Sequence, residues 1–277
     1  MRKIPLVNNE VYHVYTRSLD NYITFKDESD FTRAIETIKF YRYGKVPISF
    51  STYLKTKNKK IFSLKYELDI NNSVVEIIAY CIMPTHLHLI LKQLTDNGIS
   101  SFIKNSLDSY TRYFNNKYSR RGTLWQGRFK SVYVESNEQL LHLTRYIHLN
   151  PTTASLVKNP EEWPYSSYLE YLNKSNNKIC NYEGYLDMDM KDYKKFVDDR
   201  KDYQKELGLI KHLAFDQWIA ASQLLNVVSW EKNECRKLGK KWMSEVGRKL
   251  NFGSWEINQC RKLGDLFCWN SHHIKLL

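Results

Sequence analysis

His86 and His88 stand two positions apart in the run Met83-Pro84-Thr85-His86-Leu87-His88-Leu89-Ile90-Leu91. Strand side chains alternate faces, so on a strand both imidazoles point the same way, with Cα atoms roughly 7 Å apart. They can then converge on one ion. Residues 74–83 are almost all apolar and Leu89-Ile90-Leu91 continues the second segment, so the pair belongs to a buried hairpin. There an uncompensated polar group is costly and needs a metal, a carboxylate or a carbonyl as partner. A second set, His142, Tyr146 and Asn150, recurs every fourth residue, which is one face of a helix. A tyrosine hydroxyl has an ordinary pKa near 10 and becomes a nucleophile only with help from a metal or a base. Asn150 can offer an amide oxygen as a third ligand beside the two histidines. Taken by themselves, however, Tyr146 is one of 20 tyrosines and Asn150 is a helix-ending residue before Pro151.

A third set is cationic. From Lys104 onward the chain carries Arg112, Lys117, Arg120, Arg121, Arg128 and Lys130, with Asp108 the sole acid before Glu135. Gly122-Thr123-Leu124-Trp125-Gln126-Gly127-Arg128-Phe129 lies inside this run, and an aromatic among cations is how single-stranded nucleic acid is held: phosphates on the charges, a base on the ring. Arg112, Arg120, Arg121, Trp125, Arg128 and Lys130 are therefore the candidate DNA contacts. A formal net charge of +12 agrees with a polyanionic partner. No apolar run reaches the roughly 20 residues of a membrane span, and Met1-Arg2-Lys3-Ile4-Pro5 is not followed by a signal-peptide core. The expectation is a cytosolic protein with no membrane partner. Five cysteines form no C-x-x-C pair and read as reduced thiols rather than a zinc ribbon or disulfide framework.

The elements that must position these residues follow from periodicity. Residues 11–16 read as a first strand, and 27–41 as a helix with Phe31, Ala34, Ile35 and Ile38 on one face. Residues 46–66 form an insertion with strand-like segments at Ile48 to Phe50 and at 61–64, around a basic loop at 55–60. The histidine hairpin spans 74–92, turned at 83–85. Ser100 or Ser101 caps a helix with Ile103, Leu107, Tyr110 and Phe114 on one face, and 130–135 reads as a short strand. Ser136-Asn137-Glu138-Gln139 is a capping box opening a helix that Asn150-Pro151 should stop. That order predicts an α+β, ferredoxin-like (RRM-like) antiparallel sheet with helices on one face, formed by residues 1–215. In 216–277 the segment starting Ser229-Trp230-Glu231 recurs 25 residues on as Ser254-Trp255-Glu256, both copies ending Cys-Arg-Lys-Leu-Gly. This predicts a small, basic, Trp-rich helical appendage.

Three separated motifs in order, Met-Pro-Thr-His86-Leu-His88, Gly-Thr-Leu-Trp125-Gln-Gly-Arg128-Phe and Arg145-Tyr146-Ile-His-Leu-Asn150-Pro151, resemble the HUH single-tyrosine transposases. Within that class the chain is most similar to the REP-associated tyrosine transposases of the IS200-like type, over about residues 7–215, with Trp163-Pro164-Tyr165-Ser166-Ser167-Tyr168 extending the likeness. One departure is Thr85, where the family more often has Asn. The resemblance implies that His86, His88 and Asn150 bind Mg²⁺ or Mn²⁺ and that Tyr146 is the nucleophile. It implies cleavage and joining of single-stranded or hairpin DNA through a 5′-phosphotyrosine. Two other readings share features with this one. A rolling-circle initiator or relaxase has the histidine pair with a different tyrosine arrangement, and a non-catalytic RNA-binding module has the sheet but no use for His86, His88 and Tyr146 together. The sequence is compatible with a monomer or a dimer.

Overall fold

A computed structural model describes residues 5–200 of the chain, apart from 45, 61–62, 64–71, 176–177 and 187. The duplicated motif, the 216–277 appendage and the domain boundary at 215 lie outside the described residues. So does most of the strand-like segment at 61–64.

Four antiparallel strands make one sheet in the order β2-β3-β1-β4. They are β1 (Val11–Arg17), β2 (Val75–Met83), β3 (His86–Gln93) and β4 (Lys130–Tyr133). β2 and β3 form the expected hairpin, closed by Pro84 and Thr85 and registered Met83 to His86 and Cys81 to His88. The central pair, β1 and β3, sets Arg17 opposite His86, Tyr15 opposite His88 and His13 opposite Ile90. Directly paired residues share a face, so His13, Tyr15, Arg17, His86 and His88 all lie on one side of the sheet.

The other side carries the helical layer that the element order implied. Helix α1 (Glu28–Tyr41) begins where the Asp27 carboxylate accepts the backbone N–H of Asp30, and it buries Phe31, Ala34, Ile35 and Ile38. Helix α3 (Gly98–Lys117) packs beside it, with Ile99, Phe102, Ile103, Tyr110 and Phe114 meeting Tyr12, Val14, Leu87, Leu89 and Leu91 in one core. Asp30, fully buried, locks the two helices. Its carboxylate accepts from Lys117 Nζ at 2.8 Å and from Tyr118 Oη at 2.8 Å. Between α1 and α3 the reading differed from the fold. Ile48 to Phe50 is not a strand: Ser49 caps a short helix, α2 (Phe50–Lys55), by accepting the Thr52 N–H, which consumes the donors a strand would need.

Helix α4 (Asn137–Thr153) lies on the histidine side, over β2. A β-bulge between Ile77 and Ala79 turns two successive residues, Ile78 and Ala79, toward it. They join Cys81, Met83 and Ile90 beneath Leu140, Ile147 and Leu149 in a second core. Ser136 accepts the Gln139 N–H as the capping box requires, but the Gln139 amide oxygen reaches back to the N–H of Glu135 rather than Ser136. The helix does not stop at Asn150. Pro151 sits in its last turn, where few N–H groups remain to be paired, and Ala154 N–H closes the end on Asn150 O at 2.9 Å.

Two further helices, α5 (Tyr168–Tyr171) and α6 (Met190–Asp198), flank α4. The segment before α5 straps the outer edge of β2. Ile82 N–H donates to Tyr165 O, Ser167 N–H donates to Tyr80 O, each at 2.9 Å, and Trp163 Nε1–H donates to Ile82 O at 3.0 Å. Buried His148 bridges this strap to α6, with Nε2 2.8 Å from Ser167 Oγ and Nδ1 2.7 Å from Tyr193 Oη. Among the described residues no helix is long and apolar enough to cross a membrane.

Candidate active site

The hairpin and α4 bring the two chemical sets of the sequence together. The His86 and His88 rings lie 5.1 Å apart, centroid to centroid, and His88 meets the Tyr146 ring edge-on at 6.0 Å. Asn150, one helical turn beyond Tyr146, is 8% exposed and its Nδ2 has no hydrogen-bond partner. An orphaned, buried amide one turn from the tyrosine that meets His88 fits a site that expects one more ligand. Because an Asn side chain can be turned about its last bond, the same group can present Oδ1 instead. His86 Nδ1 is 3.0 Å from Thr85 Oγ1, and His88 Nδ1 is 2.9 Å from His13 Nε2. Each ring is thus held through Nδ1, the nitrogen on the side away from Nε2. Thr85, the residue that departs from the family pattern, still reaches the first histidine. Among the described residues no three His, Cys, Asp or Glu side chains converge as a metal cage.

Burial holds the imidazoles neutral. It pushes His86 down to about 4, with the Arg17 charge adding to the effect, and burial alone takes His13 to about 4. His88 is driven well down by burial and then by His86, His13 and Arg17. Neutral imidazole is the ligating form. Burial raises the Tyr146 hydroxyl above the usual phenol range and Tyr15 adds to this, while Arg17 opposes it. A tyrosine so placed is not ionised near neutrality without further help.

Sequence reading overlooked His13, Tyr15 and Arg17. The available signal was their alternation on β1, His-x-Tyr-x-Arg, which faces all three side chains toward the His86 and His88 side.

The basic run divides. Lys130 pairs with Tyr15 on the histidine face, its Nζ 6.0 Å from the Tyr15 ring. The loop before it is fastened to the end of β1, with Leu19 N–H on Leu124 O and Gln126 N–H on Arg17 O, so exposed Arg121 and Arg128 belong to the His86 end of the sheet. Arg120 is half-buried and partly engaged within this loop, donating to Thr123 O at 2.7 Å and Asn115 Oδ1 at 3.2 Å. Arg112 is exposed but sits on α3, across the sheet from the histidines. Trp125 corrects the expectation of a stacking platform. It is 7% exposed, packed against Phe25 and Tyr110, with Nε1–H donating to Thr111 Oγ1 at 3.0 Å. Its ring is part of the core and unavailable to a base. His142 likewise faces away from the pair, with Nδ1 2.8 Å from Arg145 and its ring on Phe196. A groove of about 650 Å³ between α1 and α2, lined by Asp27, Glu28 and Glu36 among others, is on the opposite side of the sheet, and its acidic rim does not suit phosphates.

The antiparallel sheet thus turns an H-x-H pair toward a helix that carries Tyr146 and, one turn on, Asn150. Residues 50–150 match the family profile described as "Transposase IS200 like". A Haemophilus influenzae relative named for the REP-associated tyrosine transposases is 30% identical over 119 residues, covering 39% of this chain and 66% of the relative. The REP-associated tyrosine transposase of Escherichia coli K12 is 23% identical over 128 residues, covering 43% of this chain and 74% of the relative. The chain thus spans about two thirds to three quarters of these relatives' lengths. A solved REP-associated tyrosine transposase bound to a REP hairpin aligns with 68% of this chain and 97% of its own, at 14% identity and a TM-score of 0.44. Over these residues the chain is similar to the IS200-like transposases and, among named relatives, to the REP-associated tyrosine transposases.

Proposed function

We propose that the chain is a divalent-metal-dependent endonuclease and strand transferase for single-stranded, hairpin-bearing repeat DNA, with Tyr146 as nucleophile. The observation that carries this reading is the meeting of Tyr146 with His88 at 6.0 Å, with the unpartnered amide of Asn150 one helical turn on from Tyr146. His86 and His88 through Nε2, and Asn150 through its amide oxygen, would hold the ion. Two imidazoles and an amide suit Mn²⁺, while Mg²⁺ is favoured by availability. When bound, such an ion polarises a phosphodiester oxygen and stabilises the charge that develops at phosphorus.

Tyr146 Oη forms a bond to phosphorus as the bond from phosphorus to the 3′ oxygen breaks. The phenolic proton leaves Oη to solvent, the leaving 3′ oxygen takes one up in return, and the 5′ phosphate stays on the protein as a tyrosyl ester. Because the ester is kept, a 3′-hydroxyl can reverse the step on the same strand or another without ATP. Arg17, opposite His86 in the register, is exposed and can receive a non-bridging phosphate oxygen. Arg121, Arg128 and Lys130 extend that cationic track along the same end of the sheet, whereas Arg112, on the opposite face, would meet only DNA that wraps around the edge. The relatives' name supports a REP-type repeat as substrate, and a cytoplasmic, nucleoid-associated location follows from that substrate.

The test is covalent capture. Labelled oligonucleotides carrying a short imperfect hairpin are incubated with the protein and Mg²⁺ or Mn²⁺, and a denaturing gel is read for label retained on protein. Tyr146→Phe should abolish the adduct with hairpin affinity nearly unchanged. His86→Ala and His88→Ala should each abolish it, and Asn150→Ala should weaken the metal dependence. Metal-independent binding with no adduct on any strand would overturn the reading in favour of a non-catalytic nucleic-acid-binding module.

A further inference from the structure

β1 brings a third imidazole to the site that neither the motif nor the family profile's span includes. His13 lies outside residues 50–150, is 9% exposed, and its Nε2 is 2.9 Å from His88 Nδ1 with the two rings only 16° from parallel. Between two neutral imidazoles one nitrogen must donate and the other accept, so this contact selects a tautomer on each ring. If His13 donated, His88 would carry its proton on Nε2 and could ligate nothing there. If His13 accepts, His88 keeps Nδ1–H and its Nε2 lone pair is free. His13 is not itself a third ligand through Nε2, because that nitrogen is taken up by His88, and the described residues hold no cluster of three such side chains around a vacancy. Thr85 stands in the matching place for His86, its Oγ1 3.0 Å from Nδ1.

We infer that His13 is a positioning residue, whose Nε2 accepts the Nδ1–H of His88 and so holds His88 in the tautomer and orientation that present Nε2 to a divalent cation. The inference rests on the metal reading proposed above. Partners of this kind fix ring orientation and raise ligand basicity, and their loss typically costs about 10- to 100-fold in metal affinity.

The tautomer can be read in the unaltered, metal-free chain by long-range ¹H–¹⁵N correlation of ¹⁵N-labelled histidine, with His88 assigned from the missing signals of His88→Ala. Protonated Nδ1 and unprotonated Nε2 are expected for His88. Calorimetric titration with Mn²⁺ supplies the second readout: His13→Leu should bind about 10- to 100-fold more weakly. His13→Gln, whose Oε1 can accept the same proton, should restore most of that loss, which a purely structural role would not do. An Nε2–H tautomer for His88 in the unaltered chain overturns the inference without any variant having to fold. So does a folded His13→Leu with unchanged Mn²⁺ affinity, or a His13→Gln as weak as His13→Leu. If His88→Ala also leaves Mn²⁺ affinity unchanged, the metal reading itself fails; if only His88→Ala weakens it, the role of His13 alone is lost.

Discussion

Acid should unfold this protein through a group remote from the chemistry. His148 is fully buried under α4, between Ser167 and Tyr193, and burial lowers its pKa to about 3 from an ordinary 6.5. Between those values the unfolded chain binds a proton that the folded one refuses, so stability falls as pH is lowered through that window. The slope for one such group is about 1.4 kcal/mol per pH unit. From pH 7 to pH 5 it amounts to about 2 kcal/mol, a large part of the 5–15 kcal/mol typical of a domain. His13 and His86 titrate in the same direction over pH 4 to 6.5 and add to the decline of the unaltered protein. The decisive quantity is therefore a difference. His148→Gln removes one titrating group, so its urea-unfolding free energy, measured metal-free at pH 7, 6 and 5, should fall by about 2 kcal/mol less than that of the unaltered chain. Its stability at pH 7 should itself be lower by about 1–3 kcal/mol, because Ser167 and Tyr193 lose well-placed partners. Parallel pH profiles for the two proteins would refute the assignment.

Two other perturbations test the packing around the site. Trp125→Ala should destabilise the fold by about 3–5 kcal/mol in chemical denaturation, since the ring fills a core with Phe25 and Tyr110; a variant of unaltered stability but weakened DNA binding would return Trp125 to the surface role. Lys117→Met should cost on the order of 3 kcal/mol by leaving the buried Asp30 carboxylate without its cation, and a shift in the thermal midpoint of less than a degree would show that the tyrosine hydroxyls of Tyr113 and Tyr118 satisfy Asp30 by themselves.

Local signals carried well into the structure where they involved one segment at a time. The apolar runs on either side of Pro84-Thr85 specified the hairpin, and with it the shared face of His86 and His88. Asp27 and Ser136 announced the starts of α1 and α4 because a cap is a contact within four residues. Helix α3 begins earlier than Ser100 because Asn97 takes a left-handed turn and Gly98 lies where a Cβ would be 2.2 Å from Val74 O, a contact between segments that no periodicity encodes. Trp125 failed for the same reason. Apart from Leu124 its neighbours in sequence are polar, glycine or cationic, whereas its neighbours in space come from α3 and from the loop before α1. His13 was invisible as chemistry because its partner is 75 residues away, and a lone histidine in an aromatic strand reads as filler. That α4 covers the histidine side depends on the bulge at Ile78, which breaks the period of two that would otherwise assign faces on β2.

The strap along β2 has a consequence for handling the protein as much as for its chemistry. In the order β2-β3-β1-β4, β2 is an edge, and it is nine residues of almost unbroken apolar side chains, the profile of a strand that recruits a second copy of itself. Tyr165 and Ser167 occupy its free backbone groups, Trp163 seals Ile82 O, and the Tyr171 hydroxyl and Asn181 N–H close Ile78 O and Ile77 O. The opposite edge, β4, is only four residues long and opens with Lys130, so it offers a poor template for growth. Solubility is thus guarded by a stretch of coil that belongs to neither the sheet nor α4. Variants that lift Trp163 to Ser167 from β2 should be screened for aggregation before any loss of DNA cleavage is attributed to the site.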